Sequence, residues 1–565
     1  MQDVALLNRN RLSFDVKWFV IGGIVLFLLV FQVFPLLYLV FRTFFVTGSF
    51  SLGTFKRIYS YPLNWNALTN TIITASLSMF FGILIAFPLA WLVGRTNMYG
   101  KNFFRTLFVM TYMVPPYVGA MAWLRLLNPN VGNLNVFIQK IFGLSSAPFN
   151  IYSIGGLVWV LTTFYYPYAF ITISRAMEKM DPSLEEASKI SGASPFKTLR
   201  TITLPMMAPS IVAAALLVFV SAASCYGIPS IIGAPGRVHT VTTRIIDYVH
   251  IGSQQGLTDA TTLAVFLMVI ANIVLYVSTF VVGKKQYITI SGKSTRPNIV
   301  DLGKWRIVFT LLVSILAFII IILPFLTVAI TSITVNIGKG LSLDNITFVH
   351  WHRIFSRKAI LQAWGNSLTA ASIAATAGMV VSCVMAYLLM RTNVKGRRIP
   401  DFLITVGSGT PSVVIALGLI MTMSGKFGIN IYNTLSIMII AYMIKYLLMG
   451  MRTVVSAMSQ ISPSLEEASQ ISGAKWLRGF KDITIPLIIP SVVAGWFLIF
   501  MPSFYELTMS TLLFSTATKT LGTELYTYQT YHSQQVASAL ATAILFLVIL
   551  VNWLLHKITK GKFSI

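Results

Sequence analysis

Long apolar runs alternate with short polar stretches along the whole sequence. A membrane-spanning helix needs about 20 mostly apolar residues. Runs of that length recur near 18–41, 67–94, 106–127, 151–174, 206–230 and 260–283, and again near 307–333, 366–390, 402–424, 432–451, 486–510 and 536–556. The pattern predicts twelve spanning helices. Pro209 and Pro229 in the fifth, and Pro490 and Pro502 in the eleventh, predict kinks or breaks there. The polar stretch 284–304, with Lys284, Lys285, Lys293, Arg296, Lys304, Gly292 and Pro297, reads as a cytoplasmic linker between halves 1–283 and 305–565.

The second half repeats the first. Asn70-Thr71 matches Asn366-Ser367, Arg95-Thr96-Asn97 matches Arg391-Thr392-Asn393, and Pro115 matches Pro411, all 296 residues apart. Further on, Ser183-Leu184-Glu185-Glu186-Ala187-Ser188 matches Ser464-Leu465-Glu466-Glu467-Ala468-Ser469 at an offset of 281. The difference of 15 falls between positions 116 and 182, and the Asn-, Pro-, Gly- and Ser-rich loop Asn128–Asn150 is the natural place for it. Six spans per half is an even number, which makes the repeats parallel, about an axis along the membrane normal. The expected fold is therefore an all-α polytopic membrane protein of about twelve helices in two parallel six-helix repeats.

Composition agrees. Of 565 residues, 56% are apolar and only 10% charged, against roughly a quarter charged in soluble chains. This excludes a soluble enzyme, a disordered chain and a fibrous protein. The net charge of +26 does not point to nucleic acid, because the basic residues sit in short loops between apolar runs. They are also unevenly placed. With the N-terminus inside, inner segments hold 28 of the 42 Lys and Arg and outer loops hold 11, so the positive-inside rule puts both termini in the cytoplasm. The first run follows Arg9, Arg11 and Lys17, is too long for a signal-peptide core and reads as a retained anchor. Cys225 and Cys383 lie in apolar stretches and give no metal or disulfide framework.

The best-matched segments are two cytoplasmic loops, 177–205 and 458–486. Asp181-Pro182 and Ser462-Pro463 each supply an N-cap followed by proline. Glu185, Glu186, Glu466 and Glu467 fall in the first turns, where the helix dipole favours acids, and Gly192 and Gly473 suit a left-handed helix end. Each loop encodes a short helix, then returns to the membrane through Ile202-Thr203-Leu204-Pro205 or Ile483-Thr484-Ile485-Pro486.

The spacing Glu-Ala-small-x3-Gly, nine residues, Ile-x-Leu-Pro resembles the EAA loop of ABC importer permeases, the signature of the binding-protein-dependent inner-membrane component family. It is met at Glu186, Ala187, Ser188, Gly192, Ile202, Leu204 and Pro205, and again at Glu467, Ala468, Ser469, Gly473, Ile483 and Pro486, with Ile485 in place of Leu. The resemblance covers about 67–283 and 363–556. It implies that each short helix docks into a groove on a cytoplasmic ATPase, with Glu186 and Glu467 facing a basic residue there and Gly192 and Gly473 forming the turn. It also implies a homodimer of ATPase subunits, an extracytoplasmic solute-binding protein and a bacterial inner membrane. The chain would be a translocation subunit and not an enzyme, with no cofactor and no metal of its own, ATP and Mg being bound by the ATPase. Its one Walker-like fragment, Gly292-Lys293-Ser294, has Tyr287 where a P-loop needs Gly.

Two fused permease halves most resemble the ferric-iron permeases, through Tyr226-Gly227-Ile228-Pro229, Thr242-Thr243-Arg244-Ile245 and Glu506-Leu507-Thr508-Met509-Ser510-Thr511-Leu512-Leu513. Thiamine, hexose-phosphate, phosphonate and polyamine permeases share the architecture. Glu506 is the one carboxylate inside an expected span and, with Tyr505 and Tyr226, is a candidate for the translocation pathway; a structural hydrogen bond is the competing role. Lys445 is expected near the inner end of its span, where it can snorkel. Asn70 and Asn366 are expected to cap or bridge helices. Five histidines (His239, His250, His350, His352 and His532) fall in outer loops and read as polar contacts. A self-contained secondary transporter would need paired intramembrane charges, and a membrane-embedded enzyme a constellation such as HExxH or GxSxG. Neither pattern is present, and neither rival explains the paired cytoplasmic helices.

Overall fold

The computed structural model describes residues 18–45, 49–181, 183–284, 299–339, 342–473, 478 and 480–558. Pro182, Ala474, the basic residues Arg9, Arg11 and Lys17, and most of the expected linker with its Walker-like fragment lie outside the described residues. Among the described residues, β pairing is limited to isolated bridges such as Thr96 with Val300, and the rest of the regular structure is helical. Ten helices are long and apolar enough to cross a membrane: Trp18–Phe44, Pro62–Arg95, Ile154–Glu178, Pro195–Ala223, Gln254–Ser278, Trp305–Thr331, Lys358–Arg391, Leu435–Ser459, Lys481–Phe504 and Gln534–Leu554.

The two remaining expected spans, 106–127 and 402–424, are not straight helices. Lys101–Thr111 meets Pro116–Leu127 at 102°, and Arg398–Gly409 meets Ser412–Thr422 at 108°. The breaks fall at the matched Pro115 and Pro411. Proline cannot donate to the preceding turn and pushes the residue before it into extended backbone, as Thr410 shows with ψ 134°. The prolines expected to break the fifth and eleventh spans do less. Pro209 and Pro490 lie inside continuous helices, Leu204–Ala223 and Ile485–Phe504. A π-helical turn precedes each helix, at Leu199–Thr203 and Phe480–Thr484. These helices end instead at Ala223 and Phe504.

Within each half three helices pack together: Pro62–Arg95 with Ile154–Lys179 and Leu204–Ala223, and Lys358–Arg391 with Leu435–Ser459 and Ile485–Phe504. Where lipid supplies no hydrophobic drive, small residues let helices approach. A Cβ on Gly450 would lie 2.7 Å from Ile499 Cδ1 and 2.9 Å from Ser382 Oγ, so glycine eases that approach.

The first helix of each half crosses to the other half. Phe34–Phe44 packs on Ser412–Thr422, and Gln32 Nε2 donates to the Leu403 carbonyl at 2.7 Å. In return Leu323–Thr331 packs on Pro116–Leu127, with Phe325 edge-on to Phe164. Among the described residues one large buried cluster runs through both halves, with two smaller clusters beside it.

The matched asparagines bridge loops. Asn70 Nδ2 donates to the His239 carbonyl, and Asn366 Nδ2 to those of Ala517 and Lys519. Beside them, Thr71 and Ser367 accept from the backbone N–H of Val241 and Leu521. These are the first residues of two short helices, Val241–His250 and Leu521–Tyr531, each opened by a Thr-x-x-Thr capping box.

Candidate functional site

The two loops singled out by the repeat fold as Ser183–Ile190 and Ser464–Ile471. Asp181 Oδ1 accepts from the Ser183 N–H at 2.9 Å, the expected N-cap. Gly192 and Gly473 adopt φ of +78° and +84° at the C-terminal ends, a backbone region that side chains disfavour. Pro205 and Pro486 are the second residues of the helices that return to the membrane.

The paired acids divide. Glu186 and Glu467 are exposed, as are Ala187 and Ala468 beside them. Leu184, Ile190, Leu465 and Ile471 share that exposure, the two isoleucines at 87% each. Glu185 and Glu466 turn the other way, into the body of the protein. Glu466 Oε1 lies 3.1 Å from Arg391 Nε and accepts from Thr484 Oγ1 at 2.9 Å. Arg391 Nη2 also donates to the Ile461 carbonyl at 2.7 Å and the Met458 carbonyl at 3.3 Å, where the Leu435–Ser459 helix ends.

The first half repeats this arrangement. Glu185 lies 3.5 Å from Arg95 Nη1 and accepts from Thr203 Oγ1 at 2.7 Å, while Arg95 Nη2 donates to the Met177 and Met180 carbonyls. The arginine side chains are only 2% and 6% exposed. A cation at a helix C-terminus is favoured by the unpaired carbonyls and the dipole. Each arginine thus ties together the end of one spanning helix, the end of a second and the short loop helix, and the threonine adds the start of a third. The sequence repeat marked both arginines without giving them a role. Their partner threonines stand in the matched returns Ile202-Thr203 and Ile483-Thr484.

A second candidate region is a cavity of about 350 Å³ between the halves. The first half lines it with Tyr112, Tyr117, Tyr165, Tyr168, Cys225 and Tyr226, and the second with Lys445, Tyr446, Tyr505 and Glu506. Glu506 and its repeat counterpart Cys225 therefore face the same space. Glu506 Oε2 accepts from the N–H groups of Met509 and Ser510 at 2.8 and 2.9 Å and from Ser510 Oγ at 3.1 Å, which caps the helix Thr508–Leu513. The carboxylate thus makes a structural bond and also forms part of the cavity wall. The Tyr226 hydroxyl sits 3.4 Å from that of Tyr526, and Tyr117 donates to the Tyr505 carbonyl at 3.0 Å.

Lys445 departs from expectation. It lies in the middle of Leu435–Ser459 and does not snorkel from an end; its Nζ donates to the carbonyls of Ser408 and Thr410 at 2.9 and 2.8 Å. It caps the broken end of Arg398–Gly409, which has no following turn to satisfy it. Tyr112, Tyr117, Tyr165, Tyr168 and Tyr446 were not singled out from the sequence. Tyr165 and Tyr446 match at the 281 offset, and that signal was available.

Comparisons with known proteins agree with this architecture. The family described as binding-protein-dependent transport system inner membrane component matches residues 86–286 and 378–562, one stretch in each half. A ferric transport system permease protein of Actinobacillus pleuropneumoniae is 24% identical over 84% of this chain and 69% of its own length. An Fe(3+)-transport system permease protein of Haemophilus influenzae is 27% identical over 82% of this chain and 83% of its own. A solved bacterial ABC transporter involved in the import of alginate aligns with 50% of this chain and 99% of its own, at 18% identity and a TM-score of 0.42. With two copies of the family's domain on a repeated all-helical membrane scaffold, this chain belongs to the binding-protein-dependent transport system inner membrane component family, the permeases of ABC importers.

Proposed function

We propose that this chain is the translocation subunit of an ATP-driven importer of ferric iron. The observation that carries the solute is the relation, over 82–84% of the chain, to permeases of ferric transport. An external binding protein delivers the iron, in keeping with the family's description. Two copies of a cytoplasmic ATPase supply ATP and Mg and close against the Ser183–Ile190 and Ser464–Ile471 helices. In support, each helix presents one exposed acid (Glu186 or Glu467), a small alanine and apolar side chains, and each is tied to the spanning helices by a buried arginine. A helix so tied passes ATPase closure to the membrane part as rigid-body motion. Both termini lie in the cytoplasm on this reading. Trp18 packs beside Gly396, in the loop that follows Arg391.

The test is uptake of radiolabelled ferric iron by iron-starved cells that lack any other iron importer. Deletion of the chain is expected to abolish uptake, with rescue by the wild type and not by Glu186→Lys combined with Glu467→Lys. Full uptake after deletion would remove iron as the solute. Copurification of the ATPase with the double variant at the wild-type level would remove the two acids from coupling.

A further inference from the structure

The wall of the cavity between the halves carries several phenols and a carboxylate. The rings of Tyr112 and Tyr168 lie with centroids 4.6 Å apart, tilted by 55°. Tyr446, Tyr505 and Glu506 line the same cavity from the second half. Four phenols and a carboxylate thus converge from both halves. Among the described residues, no protein hydrogen bond is made by the hydroxyls of Tyr112, Tyr168, Tyr446 or Tyr505. An unpartnered polar group at membrane depth is costly, and aromatic packing alone is met equally well by phenylalanine. Hydroxyls of residues that line a shared space need something in that space to bond. The one cation on the wall, Lys445, is held by two carbonyls, and the Glu506 carboxylate is fixed by backbone N–H groups on one oxygen.

On the reading that the cargo is ferric iron, we infer that this cavity is a transit site for a hard trivalent cation, with the phenols of Tyr112, Tyr168, Tyr446 and Tyr505 and the carboxylate of Glu506 as its oxygen donors. Hard cations select oxygen ligands over imidazole and thiolate, and tyrosinate is an established ligand of iron. Each phenol that ligates the metal gives up its proton, so loading releases protons and weakens as pH falls. Because donors come from both halves, a movement of one half against the other pulls the set apart and lets the ion leave.

The experiment uses the full permease with its ATPase in lipid nanodiscs, titrated with ferric nitrilotriacetate. Phenolate bound to iron(III) gives a visible charge-transfer band. The band is expected in the wild type, is expected to fall at least fivefold in the combined Tyr168→Phe and Tyr446→Phe variant, and is expected to persist in Tyr531→Phe, which changes an exposed tyrosine outside the cavity. Gallium(III) should compete for the band and zinc(II) should not. In cells, Tyr168→Phe with Tyr446→Phe should lower iron uptake at least tenfold while the complex still copurifies. No band, or a band that the paired variant leaves unchanged, overturns the site. Wild-type uptake of iron with no band would leave the ferric reading standing and the site refuted. No iron uptake by the wild type would refute the ferric reading itself.

Discussion

Replacing Glu466 by Leu removes the acceptor of Arg391 and of Thr484 in one step. The Arg391 and Glu466 side chains are 6% and 13% exposed, so water screens the pair little. Arg391 keeps its bonds to Met458 and Ile461 and loses its counter-charge. Removing one partner of a buried ion pair costs about 3–5 kcal/mol, because the other charge stays buried and uncompensated. At about 1.4 kcal/mol per power of ten, opening of the Ser464–Ile471 helix from the body should rise by roughly a hundredfold or more. Hydrogen–deuterium exchange of residues 464–471, read by mass spectrometry on the detergent-solubilised chain, measures this directly. The second substitution decides the mechanism. Arg391→Met combined with Glu466→Leu removes both charges, so exchange should return part of the way to the wild-type rate. Glu467→Gln, on the exposed face, should leave exchange unchanged. Unchanged exchange in Glu466→Leu, or a double variant as fast as the sum of its single changes, would refute the claim that the buried pair holds the helix.

Further outcomes follow from other contacts. Glu185→Leu should loosen the Ser183–Ile190 helix in the same way, measured by exchange of residues 183–190; equal protection in variant and wild type would count against a shared design. Lys445→Met leaves the Ser408 and Thr410 carbonyls without their donor, a loss of about 1–3 kcal/mol, and should lower the temperature of inactivation in detergent, while Lys445→Arg should recover much of it. Gly522→Ala places a Cβ 2.5 Å from the Glu506 carbonyl oxygen, so overpacking by about 1–3 kcal/mol should displace the Tyr505–Glu506 segment and reduce thermal stability; a stability equal to wild type would mean that this segment yields freely.

The sequence showed most of the frame. Apolar runs and the 296 and 281 offsets revealed a repeated helical membrane protein, because span length and loop charge are properties of single segments. The matched Asn70 and Asn366, expected to cap or bridge helices, donate instead to loop carbonyls. The breaks were misplaced because a proline's effect depends on its setting. Pro209 and Pro490 follow a π-helical turn and are accommodated, whereas Pro115 and Pro411 stand at the N-caps of new helices that leave at 102° and 108°. Lys445 was placed at a span end because its partners, the carbonyls of Ser408 and Thr410, belong to a break not visible in the apolar pattern. The division between Glu185 and Glu186 was equally hidden. Adjacent acids on a helix point about 100° apart, and only the position of Arg95 decides which one is buried. The tyrosines of the cavity come from five segments 48 or more residues apart, and no local window brings them together.

The crossing of the first helices has a mechanical consequence. Phe34–Phe44 lies against Ser412–Thr422 while Leu323–Thr331 lies against Pro116–Leu127, so the two halves are clasped like the fingers of two hands. Drawing them apart sideways would strip both grips at once, and sliding would break the Gln32 bond to Leu403. Rotation about the clasp is the motion that leaves both grips intact. The crossed arms are thus placed like the axle of a pair of shears, and one chain carries both arms and the pivot.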